Sequence, residues 1–437
     1  MDGNLPQLLE VVDICSFTAL KIERHSNGDI EVNIYHSVGP DITSLCFMFA
    51  YHPQQPLAPI HLISDGHAAR MRKLYVDTWI NNTDIPMPNV EVMSTNCRLK
   101  SNGFVITKEH VRAFCQSVGN RSRLFTHNSD FELFAPMDFF CVQAMPNFMW
   151  VLFSKVVTND MSKILHLHNR YQMEDGATML KVGDRVSSDL VIADLVSTPI
   201  GRRVRLVASL YRRDEKIATL ESAFLYRGDF IDIDKTFERA LDQRLTIRLA
   251  TANDIAVLMA KEWFVGCSDV SAHLMPGSQV EFRLDSKYCF ASHSMYSSIM
   301  TTGRAYIKVL SGQLVHIADV CFECGVSAKD PVIEYLRRHE SVSNSLMFDH
   351  DGHPLVPQDN HSLLHVTVPD SNLEYARVSA DGNPIHINPY IADIAGLPGP
   401  VTHGLWTSAS TRSLVECYAA NDEPDRIRMY QANFVGM

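Results

Sequence analysis

Two stretches of the chain, 202–224 and 301–322, follow the same pattern: a strand, a tight turn and a second strand of near-equal length. The first reads R-R-V-R-L-V-A-S-L-Y-R-R-D-E-K-I-A-T-L-E-S-A-F, with Val204, Leu206, Ala208 and Leu210 alternating with polar residues. Alternation at a period of two places one apolar face against a core and leaves the other polar. Each pair is preceded by a turn that opens another strand, Lys181-Val182-Gly183-Asp184-Arg185-Val186 in one case and Pro276-Gly277-Ser278-Gln279-Val280 in the other. Each meander also follows a helical stretch. In the first this is the apolar run Phe131–Phe153, read as a buried helix; in the second it runs from Asn253 to Phe264 and ends in K-E-W-F. Internal repetition of a helix-then-meander order predicts an α+β chain of tandem units, with antiparallel sheets each wrapping a central helix, the hot-dog arrangement.

Boundaries follow from where the pattern starts and stops. Residues 1–95 are expected to form a small N-terminal α/β adaptor, with strands Phe17–Ile22, Asp29–Tyr35 and Ser44–Tyr51 and a turn at 26–29. Met71, Leu74, Tyr75, Thr78 and Trp79 then recur at helical spacing. The first unit covers 102–235, with Thr107 as a helix cap. The middle unit covers 245–325, and 326–362 is a polar connector with one short helix, Pro331–His339. Residues 363–437 are read as a third unit, incomplete at its C-terminal end, with a helix from Thr402 to about Tyr418 and a strand Arg426–Val435 whose open edge is an association site.

Composition narrows the functional classes. A chain of 437 residues exceeds one ordinary core. It carries a net charge of −11 without a basic cluster, which argues against nucleic acid and anionic membranes as partners. No signal peptide is read at Met1, and ten scattered cysteines fit a reducing cytoplasm. Cys321 and Cys324 form a lone C-x-x-C inside a strand, without the second ligand pair that zinc requires.

The stretch richest in chemistry is Tyr375–Trp406, Y-A-R-V-S-A-D-G-N-P-I-H-I-N-P-Y-I-A-D-I-A-G-L-P-G-P-V-T-H-G-L-W. Pro384 lacks the amide that a helix interior needs, so Asp381 to His386 reads as a rigid loop presenting an acid and an imidazole to one place. Asn383 is expected to bond its own loop backbone. Gly396-Leu397-Pro398-Gly399-Pro400 leads into the next helix. The first-turn amides of His403, Gly404 and Leu405 are a ready site for developing negative charge. His403 reads equally as a second ring in the site or as a helix cap.

This segment resembles the signature of MaoC-type hydratases and dehydratases. More closely, N-P-I-H-I-N-P-Y with P-V-T-H-G-L-W resembles the dehydratase region of the fungal-type fatty acid synthase beta subunit. Ala380 departs from the pattern, standing where the family usually has glycine before the aspartate. The resemblance implies a hydro-lyase that removes water from a 3-hydroxyacyl thioester, with catalytic Asp381, His386 and Gly404 and substrate-contacting Asn383, Pro384 and His403. It implies no cofactor and no metal. The thioester would arrive on an acyl carrier protein, in fatty acid or polyketide and secondary-metabolite biosynthesis. The first unit would be the non-catalytic half that accommodates the acyl chain. Association as a homo-oligomer or synthase subunit would run through the C-terminal strand. The alternative is a non-catalytic scaffold or interaction subunit of such a synthase.

Overall fold

The computed structural model describes residues 17–38, 41–51, 60–62, 70, 73, 98–101, 103–126, 133–154, 163–198, 200–228, 230, 236–268, 270–292, 295–308, 313–340, 366–395 and 397–435. Most of the helix expected over 71–79 and residues 341–362 of the 326–362 connector lie outside them. The chain divides into two compact units. One takes 1–192, 204–228 and 366–437, the other 193–203 and 229–365.

The first unit opens with a four-stranded meander, Phe17–Arg24, Ile30–Val38, Asp41–Tyr51 and Ile60–Leu62. The expected turn at 26–29 is present, with Gly28 at φ +93°. Its main sheet runs in the order Arg185–Thr198, Gly201–Arg212, Glu215–Arg227, Ile164–Met173, Met429–Asn433. The turn between Gly201–Arg212 and Glu215–Arg227 places Arg213 at φ +49° and Asp214 at φ +69°, the paired positive φ that suits a two-residue hairpin. Against this sheet lies the helix Phe139–Leu152, buried on nearly all sides. A helix apolar all round belongs in a core. Of its few polar groups, Gln143 Nε2 donates to Ser101 Oγ, Asn147 Nδ2 donates to Ser188 Oγ, and the Leu152 carbonyl accepts from Tyr226 Oη at 3.0 Å. Met145, Phe148, Met149 and Phe153 are buried in the core. No described helix is both long and apolar enough to cross a membrane.

The described residues of 366–437 form no separate sheet and group by contact with the first unit. They supply helices Leu373–Ser379, Pro389–Ile394 and Gly404–Tyr418, and their strand Met429–Asn433 adds antiparallel to Ile164–Met173, with Tyr430 opposite Tyr171. One edge of this strand is thus paired within the chain, and the strand ends the sheet. The long helix is tied down by Trp406 Nε1 donating to the Ser117 carbonyl and Ser410 Oγ donating to the Val118 carbonyl, both at 2.8 Å. Deeper in, Arg412 bridges the carboxylates of Asp138 and Glu416, all three nearly inaccessible to solvent. Asn120 Nδ2 donates to Glu416 at 3.2 Å. Asp138, at the start of the central helix, is thus a structural anchor.

In the second unit the antiparallel order is Phe264–Gly266, Leu314–Cys324, Met295–Lys308, Ser278–Ser292, Phe237–Leu249. Two short helices cover its core face. Ala252–Met259, started by a Thr251/Asp254 capping box, contributes Leu258; Pro331–Arg338 contributes Val332, Ile333 and Leu336. Trp263, Phe264 and Phe282 pack between them. A Cβ on Gly303 would lie 2.1 Å from the Arg283 carbonyl oxygen, so only glycine fits where these strands meet. The architecture is α+β, with an antiparallel run of strands under helical cover in each unit, as the repeated meander predicts. In the second unit the single long helix is replaced by two short ones.

Candidate active site

Helix Leu373–Ser379 ends on Ala380, which adopts the left-handed conformation at φ +59°, ψ +15°. Glycine takes this conformation without cost, whereas a Cβ adds about 1 kcal/mol. The turn reverses the chain so that Asp381 follows at once, its amide donating to Ser379 Oγ and its Oδ1 accepting from the Asn383 amide at 3.4 Å. Asn383 caps the single 3₁₀ turn Pro384–His386, its Oδ1 accepting from the Ile385 amide at 3.2 Å. As expected, then, Asn383 bonds its own loop. Pro384, with no amide to satisfy, starts that turn and is buried.

His386 is oriented by a backbone carbonyl. Its Nδ1 lies 2.8 Å from the Val401 carbonyl oxygen, which can only accept, so Nδ1 carries the proton and Nε2 keeps its lone pair. Asn372, which the sequence did not single out, bonds both sides of this contact, donating to the carbonyls of His386 at 2.8 Å and Val401 at 3.1 Å. The ring of His403 stacks on that of His386, centroids 3.8 Å apart. Its Nε2 donates to the Asp381 carbonyl at 3.0 Å, and its buried Nδ1 has no partner. His403 is the residue before helix Gly404–Tyr418 but makes no side-chain cap bond. Tyr375 meets His403 edge-on at 5.0 Å.

Gly404 opens the long helix, and a Cβ there would meet the ring of Phe434 at 3.1 Å. Phe434 in turn lies 4.8 Å from the ring of His166, which stacks on Phe224 at 4.5 Å. His166 was not legible as a site residue: it stands in I-L-H-L-H-N-R-Y-Q-M, where nothing separates it from an ordinary strand histidine.

Asp381 and His386 keep some solvent access, yet protein surrounds both. Burial raises the Asp381 carboxyl above its ordinary range, opposed by His386, the Asn383 amide and His166. Burial lowers His386, opposed by the Asp381 charge and the Val401 carbonyl. Burial and the neighbouring His386 hold His403 well below the usual imidazole range. His166 is brought down to about 4, again chiefly by burial. Each group is pushed towards its neutral form, the condition under which one carboxyl donates a proton and one imidazole accepts one.

Asp381, His386 and His403 could each present one ligand atom within 4.8 Å of the others, enough for a metal to be considered. Face-to-face stacking of the two rings sends their in-plane lone pairs side by side rather than to one point. The arrangement therefore fits proton transfer better than coordination.

Four family models lie along the chain. They are the fatty acid synthase meander beta sheet domain at 10–82, the FAS1-like dehydratase domain region at 95–220, the fatty acid synthase subunit beta insertion domain at 237–336 and the MaoC-like domain at 354–437. Fatty acid synthase subunit beta of Saccharomyces cerevisiae is 32% identical over 90% of this chain and 19% of its own length. The fatty acid synthase beta subunit TOXC of Cochliobolus carbonum is 31% identical over 96% of this chain and 20% of its own. For aflB of Emericella nidulans, also a fatty acid synthase beta subunit, the figures are 29%, 92% and 19%. The chain thus spans about a fifth of the length of these relatives. Among solved structures, a MaoC-like dehydratase aligns with 79% of this chain and 84% of its own at a TM-score of 0.41 and 14% identity. Relatives and models agree along nearly the whole sequence, and the chain is similar to fatty acid synthase beta subunits over their FAS1-like dehydratase region, insertion domain and MaoC-like domain.

Proposed function

We propose that this chain dehydrates a 3-hydroxyacyl thioester to the 2-enoyl thioester. The supporting observation is the pairing of a carboxyl and an imidazole on one short loop, both driven towards neutrality by burial, with His386 Nε2 left as the free lone pair. In this reading Nε2 removes the α-proton and Asp381 protonates the departing hydroxyl, so water leaves and the Cα–Cβ double bond forms. The Gly404 amide receives the developing charge on the thioester oxygen, a contribution of about 3 kcal/mol for one preorganised donor. His403 holds the Asp381 backbone and the plane of His386. Asn383 and Pro384 hold the loop beside the acyl group. The thioester arrives on an acyl carrier protein, since a chain of net charge −11 gives little attraction to a strongly anionic free ligand. The setting is fatty acid or, by preference, polyketide and secondary-metabolite synthesis in the cytoplasm.

A non-catalytic scaffold is the second reading, favoured by Phe434, whose ring occupies the space beside Gly404. The two separate in one assay with a 3-hydroxyacyl N-acetylcysteamine thioester. The dehydratase reading expects turnover that survives prolonged chelation and falls about 10²–10⁴-fold in both His386→Ala and Asp381→Asn with the fold intact. Absence of turnover in the unaltered chain, or variants retaining more than about a tenth of it, would favour the scaffold or remove that residue from the mechanism.

A further inference from the structure

A second group of reactive side chains lies in the other compact unit. Cys267 follows the edge strand Phe264–Gly266, its amide donating to the Ile317 carbonyl at 2.8 Å. That pairing brings its Sγ to 3.8 Å from Nδ1 of His316, on strand Leu314–Cys324. On the far side of the ring, His316 Nε2 lies 3.1 Å from both the Ala318 carbonyl oxygen and Asp319 Oδ1. A carbonyl only accepts, so Nε2 must be the protonated nitrogen and Nδ1 presents its lone pair to the thiol. A nucleophile, a base in the tautomer facing it and a carboxylate fixing that tautomer form the set that activates a cysteine. Around it, Arg304 Nε stands 3.7 Å from the Asp319 carboxylate and the Tyr306 ring 5.7 Å from the imidazole.

Among the described residues, the other cysteines lack this arrangement. Burial pushes the thiols of Cys115 and Cys141 up to about 12. Cys46 and Cys417 are exposed, yet burial and then the carboxylates of Glu31 and Asp422 raise them as well. Cys267 is half-buried, reachable, and faces a base rather than a carboxylate.

We propose that Cys267, His316 and Asp319 form a second reactive site, at which the Cys267 thiol adds to alkenes conjugated to a carbonyl. The Sγ proton passes to His316 Nδ1 as the S–C bond forms at the β-carbon. The alkene π pair moves to the α-carbon, which then takes the proton back from the imidazolium. Atoms and charge balance without an oxidant, reductant or leaving group. A soft thiolate meets a soft β-carbon, and a 2-enoyl thioester is one member of the class; that link rests on the dehydratase reading, whereas the thiol reactivity does not.

The test treats the full chain at pH 7 with substoichiometric N-ethylmaleimide and, separately, with a 2-enoyl N-acetylcysteamine thioester, and maps adducts by peptide mass. Cys267 is expected to be modified first by both. His316→Ala and the size-conserving His316→Gln should each slow its modification about tenfold or more, with Cys46 and Cys417 unaffected, and Asp319→Ala should slow it less. Modification of Cys267 no faster than of Cys417, or unchanged rates in both His316 variants, would overturn the site. Addition of maleimide without addition of the enoyl thioester would overturn the assigned electrophile. Both electrophiles are supplied rather than made, so failure of the dehydration assay leaves this result readable.

Discussion

The two compact units use similar strand patterns and differ in what they bury. The second is closed by aromatic and aliphatic side chains, and its buried carboxylate Asp330 is fully engaged: it caps Pro331–Arg338 through the Val332 and Ile333 amides and accepts from Thr301 and Tyr288. The first buries a charged triad, Asp138–Arg412–Glu416, between the helix that starts at the candidate site and the start of the central helix, and leaves Asp138 Oδ1 and Arg412 Nη2 without partners. Burial raises both carboxyls against the pull of the guanidinium. Such a triad is a weak source of stability, because desolvation offsets the attraction. What it provides is position: it ties the helix beginning at Gly404 to the start of the central helix. Rigid placement of a reactive loop, rather than a larger core, separates the unit with the candidate site from its neighbour.

The largest expected effect comes from breaking that tie. Arg412→Met should destabilise the first unit by about 3–5 kcal/mol, because two carboxylates are left buried without a cation. Asp330→Asn in the second unit should cost only about 1–2 kcal/mol, since most of its hydrogen bonds can be kept. Chemical denaturation that resolves two transitions would check the pair, and equal losses in both units would remove the contrast.

Acid sharpens the comparison next. His166, His386 and His403 have folded values below their unfolded ones, so the unfolded chain binds more protons and stability falls as pH drops below about 6.5. For His166 this continues to about 4. Asp381, raised by burial, acts in the opposite sense, its contribution being present at low pH and lost as pH rises past its unfolded value. The melting temperature of the first unit should therefore fall by several degrees between about pH 6.5 and 5. His166→Phe should reduce that slope. A flat profile, or one with its slope in the second unit, would contradict these directions.

The smallest effect is at Ala380. Ala380→Gly removes a Cβ from a left-handed position but adds freedom to the unfolded chain, so the net gain should be about 0.5–1 kcal/mol by urea denaturation. Destabilisation would mean that the methyl group packs usefully.

Much of this was legible in the sequence because it is local. Alternation at 204–210 reports a strand face, and Thr107 caps Lys108–Ser117 through the His110 amide. Asp381, Asn383, Pro384 and His386 define their loop among themselves. The rest depends on distant partners. Arg412 meets Asp138 from 274 residues away, and no pattern around either announces the other. Strand Ile164–Met173 went unread because polar residues at His166, His168, Asn169 and Arg170 obscure its alternation. Without that strand, the partner of Met429–Asn433 cannot be read from the sequence.

The central claim is that His386 stands ready as a neutral base with its lone pair on Nε2. Nitrogen NMR of the His386 ring in the full chain, assigned by loss of its signals in His386→Gln, tests this directly. At pH 7 the account predicts a neutral ring protonated on Nδ1, hydrogen-bonded to the Val401 carbonyl, and titrating below the ordinary imidazole value. A ring charged at pH 7, or one protonated on Nε2 instead, would contradict it.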